Sequence, residues 1–98
     1  FVDAIGHDDA FHRAIAELSG FPGLWRAIEV SKAQLDRCRF AMIPLEGRGA
    51  ATLSEHRAIL EALRLRDPDG SRAAMVAHLD GAHSKTLEYL EDVLAEPA

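Results

Sequence analysis

Four polar residues on predicted helices have the types and spacing of a metal site. Asp8 and His12 are four residues apart, so an α-helix would place both side chains on one face, one turn apart. His56 and His78 each lie among apolar residues at helical spacing, which directs both imidazoles toward a helical core. An unpaired polar group in such a core costs roughly 1–3 kcal/mol, and one divalent ion would satisfy all four side chains.

The same spacing has simpler interpretations. Each histidine taken singly is typical of a hydrogen-bonded core residue or a half-exposed one. Asp9 is a rival to Asp8, because it lies three residues before His12 and that is also a workable helical pair. His7 and His83 point away from the candidate faces, at about 100° per helical residue, and we expect both to be solvated. Spacing alone therefore leaves open both the metal and its carboxylate ligand.

The donor atoms narrow the choice of ion. One carboxylate and three imidazoles suit Zn²⁺, Ni²⁺, Mn²⁺ or Fe²⁺ better than Ca²⁺, which prefers an all-oxygen shell. Four protein ligands would close a tetrahedral zinc site, or would leave two open positions in octahedral geometry. Open positions would accept water or the carboxylate of a bound molecule. The sequence does not choose among these ions.

Length and composition indicate the class of protein. The chain has 98 residues, enough for one small domain, and a hydrophobic fraction of 48%, which fits a globular core. Its formal charge of −5 is a poor match for phosphates. No apolar run approaches the roughly 18 residues of a membrane span, and no secretory signal is recognisable. With a single cysteine, Cys38, expected to fill the core, we predict a cytoplasmic protein without membrane contact.

Hydrophobic periodicity predicts an all-α fold, an antiparallel bundle of about four helices without strands. Pro44 is expected to stop the second helix, Gly47 to Ala51 to form a loop, and Asp67 to cap the fourth helix. The predicted helices run from about Val2 to Leu18, from about Gly23 to Met42, from the capping box Thr52-Leu53-Ser54-Glu55 toward Asp67, and from about Pro68 to Leu94.

The third and fourth predicted helices each carry an apolar stripe that should face the core. Both stripes contain a candidate histidine, so the packing of the two helices would bury the imidazoles. The stripe of the third helix consists of Leu53, His56, Ile59, Leu60 and Leu63. The stripe of the fourth consists of Met75, His78, Leu79, Ala82, Thr86, Tyr89, Leu90 and Val93.

Three stretches of the chain match a known pattern in the right order. Residues 8–20 read DDAFHRAIAELSG, residues 55–63 read EHRAILEAL, and residues 67–79 read DPDGSRAAMVAHL. They resemble the D-x-x-F-H, E-H and M-x-x-H stretches of the FCD domain. That domain is the C-terminal, effector-sensing domain of FadR-type GntR transcriptional regulators. The resemblance covers nearly the whole chain.

The resemblance implies a function and a ligand set. In many FCD domains a divalent metal is bound by the Asp and His of D-x-x-F-H and by the histidines of E-H and M-x-x-H. These correspond here to Asp8, His12, His56 and His78, so the family pattern selects Asp8 over Asp9. A small organic acid would enter the bundle, often reaching the metal, and would change the operator affinity of an attached winged helix-turn-helix domain. No enzymatic activity is implied.

The chain also departs from the family. Phe21 follows Ser-Gly where the family usually has Asn. We expect residues 1–98 to be a partial FCD domain that lacks the winged helix-turn-helix domain and the first FCD helices, so that DNA is contacted only through the absent domain. Apolar surface should then be exposed on the remaining helices. A homodimer, ordinary or swapped, would cover it.

Two other functions compete with the sensor. The first is a small helical hydrolase that uses metal-activated water. It lacks a clear general base, because Glu55 precedes His56 and should point about 100° away from it. The second is a metal-free dimerisation bundle with structural histidines, whose thermal stability a chelator would not change.

Overall fold

The structure, a computed structural model, describes residues 2–42 and 48–95. No strand occurs in these two ranges, which confirms the all-α prediction. The chain divides into two compact units, Phe1–Pro44 (unit 1) and Leu45–Ala98 (unit 2). The helices are α1 (Val2–Leu18), α2 (Leu24–Lys32), a 3₁₀ turn (Ala33–Leu35), α3 (Asp36–Met42), α4 (Arg48–Arg64) and α5 (Pro68–Ala95).

Two sequence predictions concern residues that are not described. The stop at Pro44 and the start of a loop at Gly47 both lie outside the described residues. Among the helices that are described, none has the length and apolarity that a membrane crossing requires.

Unit 1 differs from its prediction in the second helix. One continuous helix from Gly23 to Met42 was expected, but a 3₁₀ turn at Ala33–Leu35 separates α2 from α3. The Ser31 hydroxyl donates to the carbonyl of Ala27 at 2.9 Å, just before the turn. Such back-bonding to the preceding turn bends helices, and a short 3₁₀ stretch inside a helix marks the same kind of strain. The hydrophobic periodicity that predicted one helix here carries no signal for this break.

The core of unit 1 is small. Ile5, Ala16 and Met42 are buried, and α1 packs against both α2 and α3. Leu18 and Phe21 are largely exposed near the junction of α1 and α2. The exposed apolar surface expected from the sequence is therefore present in this unit.

Unit 2 is a helical hairpin whose first helix begins earlier than predicted. The expected loop and capping box at Thr52 are wrong: residues 48–51 are already helical, and Thr52 lies in the second turn of α4. Ala50 and Ala51 are strong helix formers, so the helix extends through them. A capping box needs an Ncap residue outside the helix, and Thr52 is inside it.

The turn between α4 and α5 is built as the sequence predicts. The Asp67 amide donates to the Ala62 carbonyl and the Arg66 amide to the Leu63 carbonyl, each at 3.0 Å. These bonds form a Schellman motif, with Arg66 at φ 54° in the position that glycine usually takes. Asp67 Oδ1 then accepts from the Gly70 amide at 2.9 Å, which confirms its predicted role as the cap of α5.

The packed faces of the hairpin are narrower than the predicted stripes. On α5 the stripe is confirmed in part: His78 is buried, but Leu79, Leu90 and Val93 are exposed. On α4 the face is rotated, because Leu53, Leu60 and Leu63 are exposed. One partner helix covers a thinner strip than the roughly 100° stripe of a fully packed helix. Two members of the predicted stripe, His56 and Ile59, do turn inward, and they are joined by Thr52, Glu55 and Ala62.

Candidate metal centre

In unit 1, Asp8 and His12 form the predicted pair on α1. Asp8 Oδ1 lies 3.4 Å from His12 Nε2, and the two side chains are 25% and 20% exposed. Two ligands bound to one ion at about 2.1 Å, with angles of 90–109°, lie roughly 3.0–3.4 Å apart. The separation of this oxygen and this nitrogen therefore fits a shared divalent ion.

The second oxygen of Asp8 belongs to a network of charges that the sequence analysis missed. Arg39 Nη2 donates to Asp8 Oδ2 at 2.5 Å and to Asp9 Oδ1 at 3.1 Å. Arg39 Nη1 donates to Asp36 Oδ1 at 2.8 Å. Lys32 Nζ lies 3.4 Å from Asp9 Oδ2 and 3.3 Å from Asp36 Oδ2. Asp9 therefore contacts both cations. Asp8 contacts Arg39 and also lies near His12, and its proximity to the histidine favours Asp8 over Asp9 as a metal ligand.

The charges and hydrogen bonds of this network shift the pKa values of Arg39 and Asp36. Burial would lower the pKa of Arg39, but its hydrogen bond to Asp36 and the charges of Asp8 and Asp9 outweigh burial and raise it. Burial would raise the pKa of Asp36, but hydrogen bonds from Arg39 and Lys32 hold it below its usual value. The spacing of Lys32, Asp36 and Arg39 by four and three residues was the available signal.

In unit 2, His56 on α4 meets His78 on α5. Their ring centroids are 4.8 Å apart and the rings are nearly perpendicular, at 77°. His78 is only 5% exposed and His56 is half-buried. Because the two residues lie at similar distances along the chain from the turn, the contact shows that the hairpin is antiparallel. The structure therefore brings together the two histidines that the sequence placed on separate core stripes.

Glu55 contacts the second pair, contrary to the prediction from the sequence. Its Oε1 lies 2.7 Å from His78 Nδ1, although the residue was expected to point away from the site. The face of α4 that packs includes Thr52, Glu55 and Ile59 as well as His56, so neighbours about 100° apart both turn inward. The spacing of three and four residues among Thr52, Glu55 and Ile59 was a signal for this face.

The remaining histidines stay outside both pairs. His7 on α1 and His83 on α5 are exposed, as predicted. The donor types in the two pairs, one carboxylate oxygen and three imidazole nitrogens, are those that first-row divalent metals prefer.

The comparisons with known proteins agree with the motifs. The FCD domain family matches residues 1–81. An uncharacterized HTH-type transcriptional regulator in an unstable DNA locus of Streptomyces ambofaciens is 34% identical over 74 residues, 76% of this chain and 31% of that protein. The HTH-type transcriptional repressor RspR of Escherichia coli K12 is 33% identical over 72 residues, 74% of this chain and 32% of that protein.

A third relative is the HTH-type transcriptional repressor NanR of Citrobacter rodentium, 33% identical over 79 residues, 78% of this chain and 30% of that protein. The chain spans about a third of the length of the curated relatives it matches. No solved structure gives a significant match.

These relatives are transcriptional regulators, which confirms the prediction of a regulator and sets aside the hydrolase alternative. The family match covers most of the chain and includes both residue pairs. The chain therefore belongs to the FCD domain family, the effector-binding domains of GntR-type transcriptional regulators.

Proposed function

We propose that this chain is the ligand-sensing part of a GntR-type regulator. A small organic acid binds at or near a divalent ion and changes the operator affinity of a winged helix-turn-helix domain elsewhere in the longer protein. The observation that carries this proposal is the FCD match over residues 1–81, and the similarity to HTH-type regulators supports it. The net charge of −5 argues that another domain neutralises the DNA phosphates. Since such a regulator acts on DNA, we place it in the cytoplasm.

The proposed ligands of the ion are Asp8, His12, His56 and His78. The 3.4 Å between Asp8 Oδ1 and His12 Nε2 supports the first pair. The perpendicular, largely buried rings of His56 and His78 support the second. Zn²⁺, Ni²⁺, Mn²⁺ and Fe²⁺ all suit this donor set. When bound, the ion would act as a Lewis acid that attracts the carboxylate of an effector.

Metal content tests the ligand set. Protein purified without chelator should contain close to one divalent ion per chain by elemental analysis, and His56→Ala should lose it. His83→Ala is the matched control, because it removes an exposed histidine from α5. A metal-free wild-type protein that also fails to bind added Zn²⁺ would refute the metal part of the proposal.

Thermal stability tests the effector part. A panel of small mono- and dicarboxylic acids should contain members that raise the melting temperature of the zinc-loaded protein. Ligand at 100 times its Kd stabilises the native state by about 2.7 kcal/mol. If the carboxylate reaches the ion, the shift disappears in His56→Ala and persists in His83→Ala. Equal shifts in both variants would place the acid away from the ion.

A second candidate, a metal-free dimerisation bundle, is favoured by the apolar surface of α5. Leu79, Leu87 and Leu94 are exposed along this helix, and a homodimer, ordinary or swapped, would cover them. Sedimentation equilibrium should then show a dimer whose stability a chelator does not change. A chelator-sensitive melting temperature would instead favour the sensor, with or without a dimer.

A further inference from the structure

We infer that Glu55 is a positioning residue that fixes the imidazole of His78 for metal binding. The inference rests on the proposed metal function. It also makes a claim about the metal-free protein that can be measured separately. The observation behind it is the 2.7 Å contact between Glu55 Oε1 and His78 Nδ1, made across the hairpin from α4 to α5.

The contact determines which nitrogen of His78 carries the proton. An ionised carboxylate can only accept hydrogen bonds, so the proton of a neutral His78 ring must be on Nδ1. The lone pair, which is what binds a metal ion, is then on Nε2. Metal-binding histidines generally donate their other N–H to a carboxylate, a backbone carbonyl or water, which fixes the tautomer and the ring orientation.

Burial makes the contact effective. His78 is 5% exposed, and the Glu55 side chain is 28% exposed, so water competes weakly with the carboxylate for the Nδ1 proton. The negative charge of Glu55 also increases the electron density of the ring and strengthens Nε2 as a donor to a cation.

A glycine on α5 leaves room for this carboxylate. Gly81 lies one helical turn beyond His78, and a Cβ built on it would be 3.6 Å from Glu55 Oε2. That distance is an ordinary van der Waals contact, so a methyl group would just fit and a longer side chain would crowd Glu55. Glycine at position 81 thus leaves space for the Glu55 carboxylate beside His78, and a large side chain at that position would compete for this space.

Two substitutions separate the roles of the hydrogen bond and the charge. Glu55→Gln keeps an oxygen acceptor but removes the charge, whereas Glu55→Ala removes both. Glu61→Gln and Glu61→Ala are the matched controls, because Glu61 is an exposed residue of α4 that pairs with Arg64. Far-UV circular dichroism of all four variants confirms that the helices are intact.

The first readout needs no metal. Long-range ¹H–¹⁵N correlations of chelator-treated protein should show His78 as the Nδ1–H tautomer in the wild type and in both Glu61 variants. In Glu55→Ala the Nε2–H tautomer should gain population. A wild-type His78 in the Nε2–H form, or an unchanged tautomer in Glu55→Ala, would overturn the inference.

The second readout is Zn²⁺ affinity, measured by competition with a chromophoric chelator. Loss of an outer partner of a metal-bound histidine typically weakens binding by about 10–100-fold. We expect that loss in Glu55→Ala, a smaller loss in Glu55→Gln and none in the Glu61 variants. Equal affinities in all five proteins would overturn the inference. If the wild type binds no Zn²⁺, the proposed metal function fails, and the tautomer readout still decides whether Glu55 orients His78.

Discussion

The two residue pairs of this chain have opposite surroundings. In unit 1, Asp8 and His12 are partly exposed, and the neighbour of Asp8 is a cation, Arg39. In unit 2, His78 is buried between two long helices, and its neighbour is an anion, Glu55. A cation beside a carboxylate ligand competes with a metal ion, whereas an anion beside an imidazole ligand supports one.

The two charged neighbours have different effects on the side chain that each one contacts. Arg39 orients Asp8 so that Oδ1 faces His12, and it neutralises the carboxylate when no ion is bound. Glu55 lies against His78 Nδ1 and orients the imidazole. The surroundings of Asp8 in unit 1 are therefore dominated by charge, and those of His78 in unit 2 by burial and its contact with Glu55. Substitutions in the two units should accordingly differ in sign as well as in size.

The largest effect is expected from His78→Ala. It removes a buried side chain and leaves the Glu55 carboxylate without the imidazole, so the metal-free protein should lose about 2–3 kcal/mol of unfolding free energy. His12→Ala, at 20% side-chain exposure, should cost less than about 1 kcal/mol. Both variants should lose Zn²⁺. Urea denaturation with chelator present measures the difference, and equal losses of stability would remove the contrast between the pairs.

Arg39→Met should destabilise unit 1 and yet strengthen metal binding. Asp8, Asp9 and Asp36 lose their shared guanidinium, at a cost of about 1–3 kcal/mol for a partly buried network. Zn²⁺ affinity should rise, because Arg39 then no longer competes for Asp8. Arg37→Met, an exposed neighbour on α3, should change stability by less than about 0.5 kcal/mol. Weaker zinc binding in Arg39→Met would show that orientation of Asp8 matters more than competition.

Asp67→Ala should weaken the hairpin that aligns the second pair. It removes the bond from the Gly70 amide to Asp67 Oδ1, a helix cap that contributes about 1 kcal/mol. The start of α2 has no side-chain cap that a substitution could remove, because its N-cap residue is Gly23. Asp80→Ala, an exposed site within α5, is the control. Equal melting temperatures of Asp67→Ala and Asp80→Ala would argue against a stabilising cap at Asp67.

The smallest effect is expected from Asp36 in acid. Its pKa is lowered, so its contribution to stability is complete above the unfolded value of about 3.9. That contribution is lost as pH falls through the lower folded value. Asp36→Asn should flatten the acid limb of the stability profile by less than about 1 kcal/mol, since the side chain is 34% exposed. Asp69→Asn, on the exposed start of α5, is the control for the loss of one carboxylate.

Local signals explain which parts of the fold were predictable. The C-terminal end of α1 and the start of α5 follow from nearby residues: Ser19-Gly20 stops one helix, and Asp67-Pro68 starts another. The break between α2 and α3 and the early start of α4 were missed. The break follows the bond from the Ser31 hydroxyl to Ala27, and the early start of α4 follows the helix-forming Ala50 and Ala51. Apolar periodicity or a capping box taken alone does not weigh such competing local effects.

The sequence by itself determined the all-α class, the family and the residue types of the candidate ligands. These depend on periodicity, composition and motif order, which are properties of the chain. The tertiary structure decided the partners: Arg39 beside Asp8, and Glu55 against His78. Such contacts join residues 31 and 23 positions apart. They depend on how far each helix is rotated about its axis, and that rotation is set by which side chains pack against the neighbouring helix.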